Sequence, residues 1–290
     1  MNPRSLETRE LLAREGLAPR KHLGQHFLVD SAVVDRMVRL ADVQPTEAVL
    51  EIGPGTGALT AVLAQRAARL YVIEYDRGLC DLLRRRYAEG AGVRVIEGDA
   101  LRVDLRAEIP EQRAKVVASL PYNVSVPILF RLLEERHIFS DVTVMLQREV
   151  AQRLVAAPGT SAYGAPSLLF QLYGEVHGRF GVSPGAFYPR PQVASEVLRL
   201  RFAVAPRVRV DDPRLFGLLV RAAFNHRRKM LRNALQGVRG CEMFSPAVWE
   251  ALLTAAGIDA RARGETLDMA AFAALADEVG RAMTDASRAR

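Results

Sequence analysis

Between residues 48 and 147 five short apolar runs alternate with segments of helical periodicity, and this alternation constrains the fold more than any other feature of the chain. The runs are AVLEI (48–52), RLYVIE (69–74), VRVIEG (93–98), KVVAS (115–119) and VTVMLQ (142–147). Between them LTAVLAQRA (59–67), GLCDLLRRRYAE (78–89) and PILFRLLEER (127–136) carry apolar residues at i, i+3 and i+4. Parallel strands need a crossover long enough to hold a helix, and such crossovers are right-handed. The pattern therefore predicts an α/β domain on a mainly parallel sheet.

The flanks extend this plan. Residues 1–30 look irregular, and Asp30 or Ser31 can cap a helix through SAVVDRMVRLADV, which Pro45 ends. Two more extended segments, GEVHGRFGV (174–182) and SEVLRLRFA (195–203), suit antiparallel strands at the sheet edge. Beyond about residue 205 strand signals vanish. PRLFGLLVRAAF, HRRKMLRNALQ, SPAVWEALLTAAG and DMAAFAALADEVGRAM all read as helices. The expected division is an arm with first helix at 1–45, belonging to the catalytic domain, the sheet domain at 46–207, and a small helical domain at 208–290.

Composition removes several function classes. No stretch of 18 apolar residues exists, and the charged start MNPRSLETRELLAREG lacks a secretory core, so a cytoplasmic protein without a membrane partner is expected. Two cysteines, Cys80 and Cys241, make no disulfide framework, and the five histidines lack metal-ligand spacing, so no metal is expected. The net charge of +7 favours a polyanionic partner if the basic residues cluster.

Four strand ends carry candidate chemistry. LEIGPGTGALT (50–60) turns from Glu51 through Gly53, Gly55 and Gly57 into a helix, which brings backbone close to a ligand at the helix's positive end. G-x-G-x-x-A also fits a dinucleotide fingerprint. Glu74, closing the second strand, suits both hydroxyls of a ribose but equally a helix start. Asp99, closing the third, suits an adenine amino group or a cap. SLPY (119–122), closing the fourth, is a plain turn unless something stacks on the tyrosine.

Together E-x-G-x-G-x-G, the acid of the second strand, G-D in the third and S-L-P-Y in the fourth resemble the S-adenosylmethionine-dependent methyltransferases. GQHFLVD (24–30), FYPRPQV (187–193), FNHRRKMLRNAL (224–235) and RARGETLD (261–268) resemble, from about residue 20 onward, the bacterial ribosomal small-subunit adenine dimethyltransferases, the kasugamycin-sensitivity enzymes. The resemblance implies a Rossmann-like methyltransferase sheet with an all-helical C-terminal domain. It also implies twofold methylation of N6 on two adjacent adenosines in the 3′-terminal hairpin loop of 16S rRNA. The donor would be S-adenosylmethionine, the product S-adenosylhomocysteine, and the partner a small-subunit assembly intermediate met by a monomer.

Carried over by motif, Gln25, His26 and Leu28 line the cofactor site with Gly55 and Ser119. Gly53 takes the methionine part, Glu74 the ribose and Asp99 the adenine. Ser119 and the Leu120 carbonyl, aimed by Pro121, accept hydrogens from the target amine, while Tyr122 and Phe187 stack on its base. Ser119 departs from the family's usual asparagine, and Ser-x-Pro-Tyr is more familiar among cytosine N4-methylating enzymes. The other motifs point to adenine.

Residues 221–240 hold six Arg or Lys and no acid. On a continuous helix at about 100° per residue, Arg221, Arg228 and Arg232 share one face, with Lys229 beside them, and phosphate contact is expected there. Two other functions fit less of the chain. One is a large-subunit adenine methylase of the macrolide-resistance type; the other is a catalytically weak rRNA-binding assembly factor.

Overall fold

A computed structural model describes residues 3–87, 92–111, 113–226 and 229–288. In chain order the strands are β1 (Phe27–Leu28), β2 (Ala48–Ile52), β3 (Arg69–Glu74), β4 (Val93–Glu97), β5 (Ala114–Ser119), β6 (Phe139–Gln147), β7 (Gly174–Val182), β8 (Phe187–Tyr188) and β9 (Ser195–Phe202). The first six helices are α1 (Pro3–Arg14), α2 (Ser31–Ala41), α3 (Ala58–Leu63), α4 (Arg77–Arg86), α5 (Leu105–Glu108) and α6 (Ser125–Glu134). They are followed by α7 (Arg148–Leu154), α8 (Ala165–Gln171), α9 (Pro213–Asn225), α10 (Leu231–Ala234), α11 (Pro246–Ala255) and α12 (Met269–Arg288).

Seven strands form one sheet in the order β4-β3-β2-β5-β6-β9-β7. β2 to β6 run parallel, whereas β9 is antiparallel to β6 and to β7. After β2 the chain builds toward β4, and from β5 it builds the other way. The order therefore reverses between β2 and β5, where a crevice opens at the carboxyl ends of the strands. The five parallel runs are those expected: strands covered on both faces read as continuous apolar segments, while β4, at the sheet edge, leaves Arg94 and Glu97 exposed. Val34, Met37 and Val38 of α2 pack with Leu59 and Leu63 of α3 against Val72, Val117 and Val197 of the sheet. Asp30 caps α2 by accepting from Ala32 N at 2.9 Å, as the sequence suggested.

Four expectations change. Residues 3–14 are helical, not irregular, and Leu12 of α1 clusters with Phe27, Leu79 and Leu82. A two-stranded sheet, Phe27 against Tyr188 and Leu28 against Phe187, went unread because two residues carry no periodicity.

The chain divides into two compact units, residues 1–151 with 174–204, and residues 152–173 with 205–290. The C-terminal part of the second unit thus begins at 205 rather than 208, and the unit also takes in residues 152–173 of the expected sheet domain. Leu168 and Leu172 join the cluster of Leu219, Trp249 and Phe272, and Tyr163 donates to the Leu267 carbonyl at 2.9 Å. Finally, HRRKMLRNALQ is not one helix. α9 ends at Asn225, Met230 is extended, and α10 spans only Leu231–Ala234. Leu231 N donates to the distant carbonyl of Ala262 at 2.8 Å, which replaces the bond a continuous helix would make.

Candidate active site

The glycines after β2 are required by geometry. Gly53 and Gly55 have φ of +68° and +58°, and a Cβ on Gly55 would lie 2.8 Å from the Phe27 ring. A Cβ on Gly53 would press on the Pro121 ring at 3.3 Å, so the glycine turn and the Pro-Tyr loop touch across the strand-order reversal.

Glu74 closes β3 in a buried position, 7% exposed. Its carboxylate accepts from Tyr75 N and Asp76 N at 2.9 Å each and from Gly55 N at 3.2 Å. Burial pushes its pKa up, and those three amides oppose the shift. A carboxylate offers about four lone-pair sites, so about one remains for a ligand hydroxyl. A second hydroxyl would displace the long Gly55 bond. Asp99 follows β4 half-buried and accepts from Leu101 N at 2.9 Å, so it caps the following turn as well as facing the cavity.

Ser119 ends β5, and a turn closed by Val124 N donating to the Pro121 carbonyl at 3.2 Å presents Tyr122. The Tyr122 ring meets Phe187 edge-on, centroids 6.4 Å apart, and lies 5.5 Å from His26 at a 32° tilt. The phenol is 2.5 Å from the hydroxyl of Ser195. His26 Nδ1 sits 2.7 Å from the Pro189 carbonyl, which only accepts, so Nδ1 carries the hydrogen and a neutral ring leaves Nε2 as acceptor.

These groups surround one cavity of about 250 Å³. Its wall takes in Gln25 and His26 from the arm, Gly53, Gly55, Glu74 and Asp99 from the first three strand ends, and Ser119, Leu120, Pro121, Tyr122 and Phe187. Eleven of the twelve expected cofactor and catalytic positions therefore meet here.

The twelfth, Leu28, does not line it. Locked in β1, Leu28 borders a neighbouring cavity of about 40 Å³ with Glu51 and Ser119. Glu51 is 1% exposed, and burial pushes its carboxyl up to about 8. It faces that smaller space instead of sharing the main cavity with Glu74 and Asp99. The amide of Gln25 is engaged within the protein: Arg20 N donates to it at 2.8 Å, and its Nε2 reaches Asp76 at 3.5 Å. Tyr75, 63% exposed, and Asn123 also line the cavity. An unpaired aromatic directly after Glu74 was the signal available for the first.

The second unit carries the other expected residues. Arg221 and Lys229 are exposed, on α9 and beyond its end. Arg232 on α10 pairs with Glu250 of α11 at 3.1 Å, a carboxylate that the acid-free run of sequence did not reveal. Arg228 lies outside the described residues. With α9 and α10 separate, the expected common face of Arg221 and Arg232 is lost.

The profile of the ribosomal RNA adenine dimethylases matches residues 16–276. The chain belongs to the ribosomal RNA adenine dimethylase family. Membership makes it an enzyme of the rRNA adenine dimethyltransferase class. Among its relatives, the ribosomal RNA small subunit methyltransferase A of Geobacter metallireducens is 45% identical over 264 residues, covering 90% of this chain and 95% of the relative. The protein of the same name from Pelotomaculum thermopropionicum is 44% identical, covering 93% and 94%. The crystal structure of a dimethyladenosine transferase from Plasmodium falciparum is similar at a TM-score of 0.72 and 25% identity over 88% of this chain and 98% of that one. The 23S rRNA methyltransferase ErmE shares the fold at a TM-score of 0.63 and 24% identity, covering 88% and 99%. The methyltransferase sheet expected from the motifs is therefore the one present.

Proposed function

We propose that this dimethylase converts two adjacent adenosines in the 3′-terminal hairpin loop of 16S rRNA to N6,N6-dimethyladenosine, using S-adenosylmethionine, on an assembling small subunit. The observation that carries this reading is the union, in one cavity at the strand-order reversal, of a glycine and carboxylate cradle with the Pro-Tyr loop and Phe187.

The residues present fit the cofactor. Gly53 and Gly55, both at positive φ, leave bare backbone on the cavity wall, Glu74 keeps an acceptor for a ribose hydroxyl, and Asp99 presents a half-exposed carboxylate to an adenine amino group. When bound, the cofactor supplies an electrophilic methyl on a sulfonium.

The chain's own work is then positioning. An exocyclic amine is a weak nucleophile because its lone pair is delocalised into the ring. Acceptance of its hydrogens by Ser119 Oγ and the Leu120 carbonyl favours a pyramidal nitrogen, and in-line placement supplies much of the acceleration. Tyr122 and Phe187 hold the base, which leaves its stack more easily in a loop than in a duplex. Arg221, Arg228, Lys229 and Arg232 contribute phosphate contacts, Arg232 by exchanging its bond to Glu250.

The test incubates the protein with labelled S-adenosylmethionine and small-subunit particles from cells lacking the modification, followed by nucleoside analysis. Label in N6,N6-dimethyladenosine of 16S rRNA is expected. Label on cytosine N4, or only in large-subunit rRNA, would refute the proposal.

A further inference from the structure

We propose that Ser195, which lies outside the cavity wall, is a positioning residue for methyl transfer: its hydroxyl pins the phenol of Tyr122 and fixes where the ring that stacks on the target base sits. The inference rests on the function proposed above, in which Tyr122 receives the base.

Tyr122 stands on irregular chain between β5 and α6. Its backbone is steadied by the Val124 N bond to the Pro121 carbonyl and by Ser125 Oγ donating to the Tyr122 carbonyl at 3.3 Å. Neither bond restrains the side-chain torsion that directs the ring. Stacking holds a base in proportion to how well the ring is fixed, and misplacement of about 1 Å at the reacting centre costs on the order of a hundredfold in rate.

The restraint comes from the far end of the ring. Ser195 is the first residue of β9, in register with Gln147 of β6 on one side and Val182 of β7 on the other, and its exposure is 0%. Three hydrogen-bonded strands therefore hold its hydroxyl, 2.5 Å from the phenol oxygen. Among the described residues no other side-chain hydrogen bond is made by either hydroxyl. Phe187, in β8 of the same stretch of chain, meets the pinned ring edge-on, so one segment sets both aromatic surfaces. Burial raises the phenol above its ordinary pKa, which keeps it neutral and the bond intact across the working pH range.

Ser195 and Tyr122 act as one device under this proposal, so their effects should not multiply. Single-turnover methyl transfer at saturating cofactor is measured for wild type, Ser195→Ala, Tyr122→Phe and the double variant. Each single variant is expected to lose about tenfold in rate at unchanged cofactor affinity, and the double variant no more than either single. Losses that multiply to about a hundredfold, or a Ser195→Ala rate equal to wild type, overturn the proposal. The χ1 rotamer of Tyr122, read from NMR couplings on carbon-13-labelled tyrosine without RNA, is expected to be single in wild type and averaged in Ser195→Ala. Equal χ1 averaging in wild type and Ser195→Ala also overturns it. A wild-type protein that leaves adenine unmethylated refutes the functional reading and the positioning role together, whereas loss of the tether at full activity refutes the positioning role alone.

Discussion

Glu51→Gln should make the sheet unit more stable, by an amount that grows with pH. The Glu51 carboxyl is 1% exposed, its Oε2 accepts no hydrogen bond among the described residues, and burial pushes its pKa from an ordinary 4.5 up to about 8. Around it stand Glu74 on β3, whose charge opposes ionisation further, and Tyr87 after α4. A carboxyl with a raised pKa binds its proton more tightly in the folded state, so between pH 4.5 and about 8 the unfolded chain carries fewer protons and stability falls as pH rises. Below that window the contribution is whole, and above it the loss is complete. The slope for one proton is about 1.4 kcal/mol per pH unit, which sets a ceiling of roughly 5 kcal/mol across the window. Glutamine keeps the shape and cannot ionise. The difference between variant and wild type is therefore expected near zero at pH 4.5, rising to a plateau past about pH 8. Trp249, the only tryptophan, lies in the helical unit, so fluorescence would watch the wrong unit; amide exchange in β2 and β3 of the cofactor-free protein watches the right one. A difference independent of pH, or one that shrinks as pH rises, would refute the assignment of a neutral Glu51.

Glu74→Ala removes an acceptor aligned by three backbone amides and should weaken S-adenosylmethionine binding by about 1.5–3 kcal/mol in calorimetry. Gly55→Ala combines a positive φ with a contact at 2.8 Å to Phe27, and a loss of about 1–3 kcal/mol in stability with weaker cofactor binding is expected from thermal melts and calorimetry. Tyr122→Ala should cost roughly 1–3 kcal/mol of target-base binding in RNA titrations, while Ser119→Asn preserves or raises adenine dimethylation by restoring the longer acceptor. Lys229→Ala should lower the salt slope of RNA binding by about one unit, and Glu250→Gln, by freeing Arg232, should raise RNA affinity.

What the sequence determined alone was whatever is encoded by neighbours. The inner parallel strands were legible because both faces are buried, and the glycine turn because positive φ excludes most side chains. The acids at the strand ends were legible as positions. Eleven site residues from the arm to Phe187 could be named by motif, yet their meeting in one cavity was decided by the strand order.

Tertiary structure alone decided the rest. α1 was hidden by its charged sequence, since its stability comes from Leu12 packing on Phe27, Leu79 and Leu82. The break between α9 and α10 follows from a bond between Leu231 and Ala262, and the pairing of Arg232 with Glu250 crosses from one helix to another. Tyr122 and Ser195 are 73 residues apart and become partners only when β9 inserts between β6 and β7. Periodicity reports what a residue shares with its own turn of helix or pleat of strand; it carries no record of which distant group closure of the sheet brings within hydrogen-bond reach.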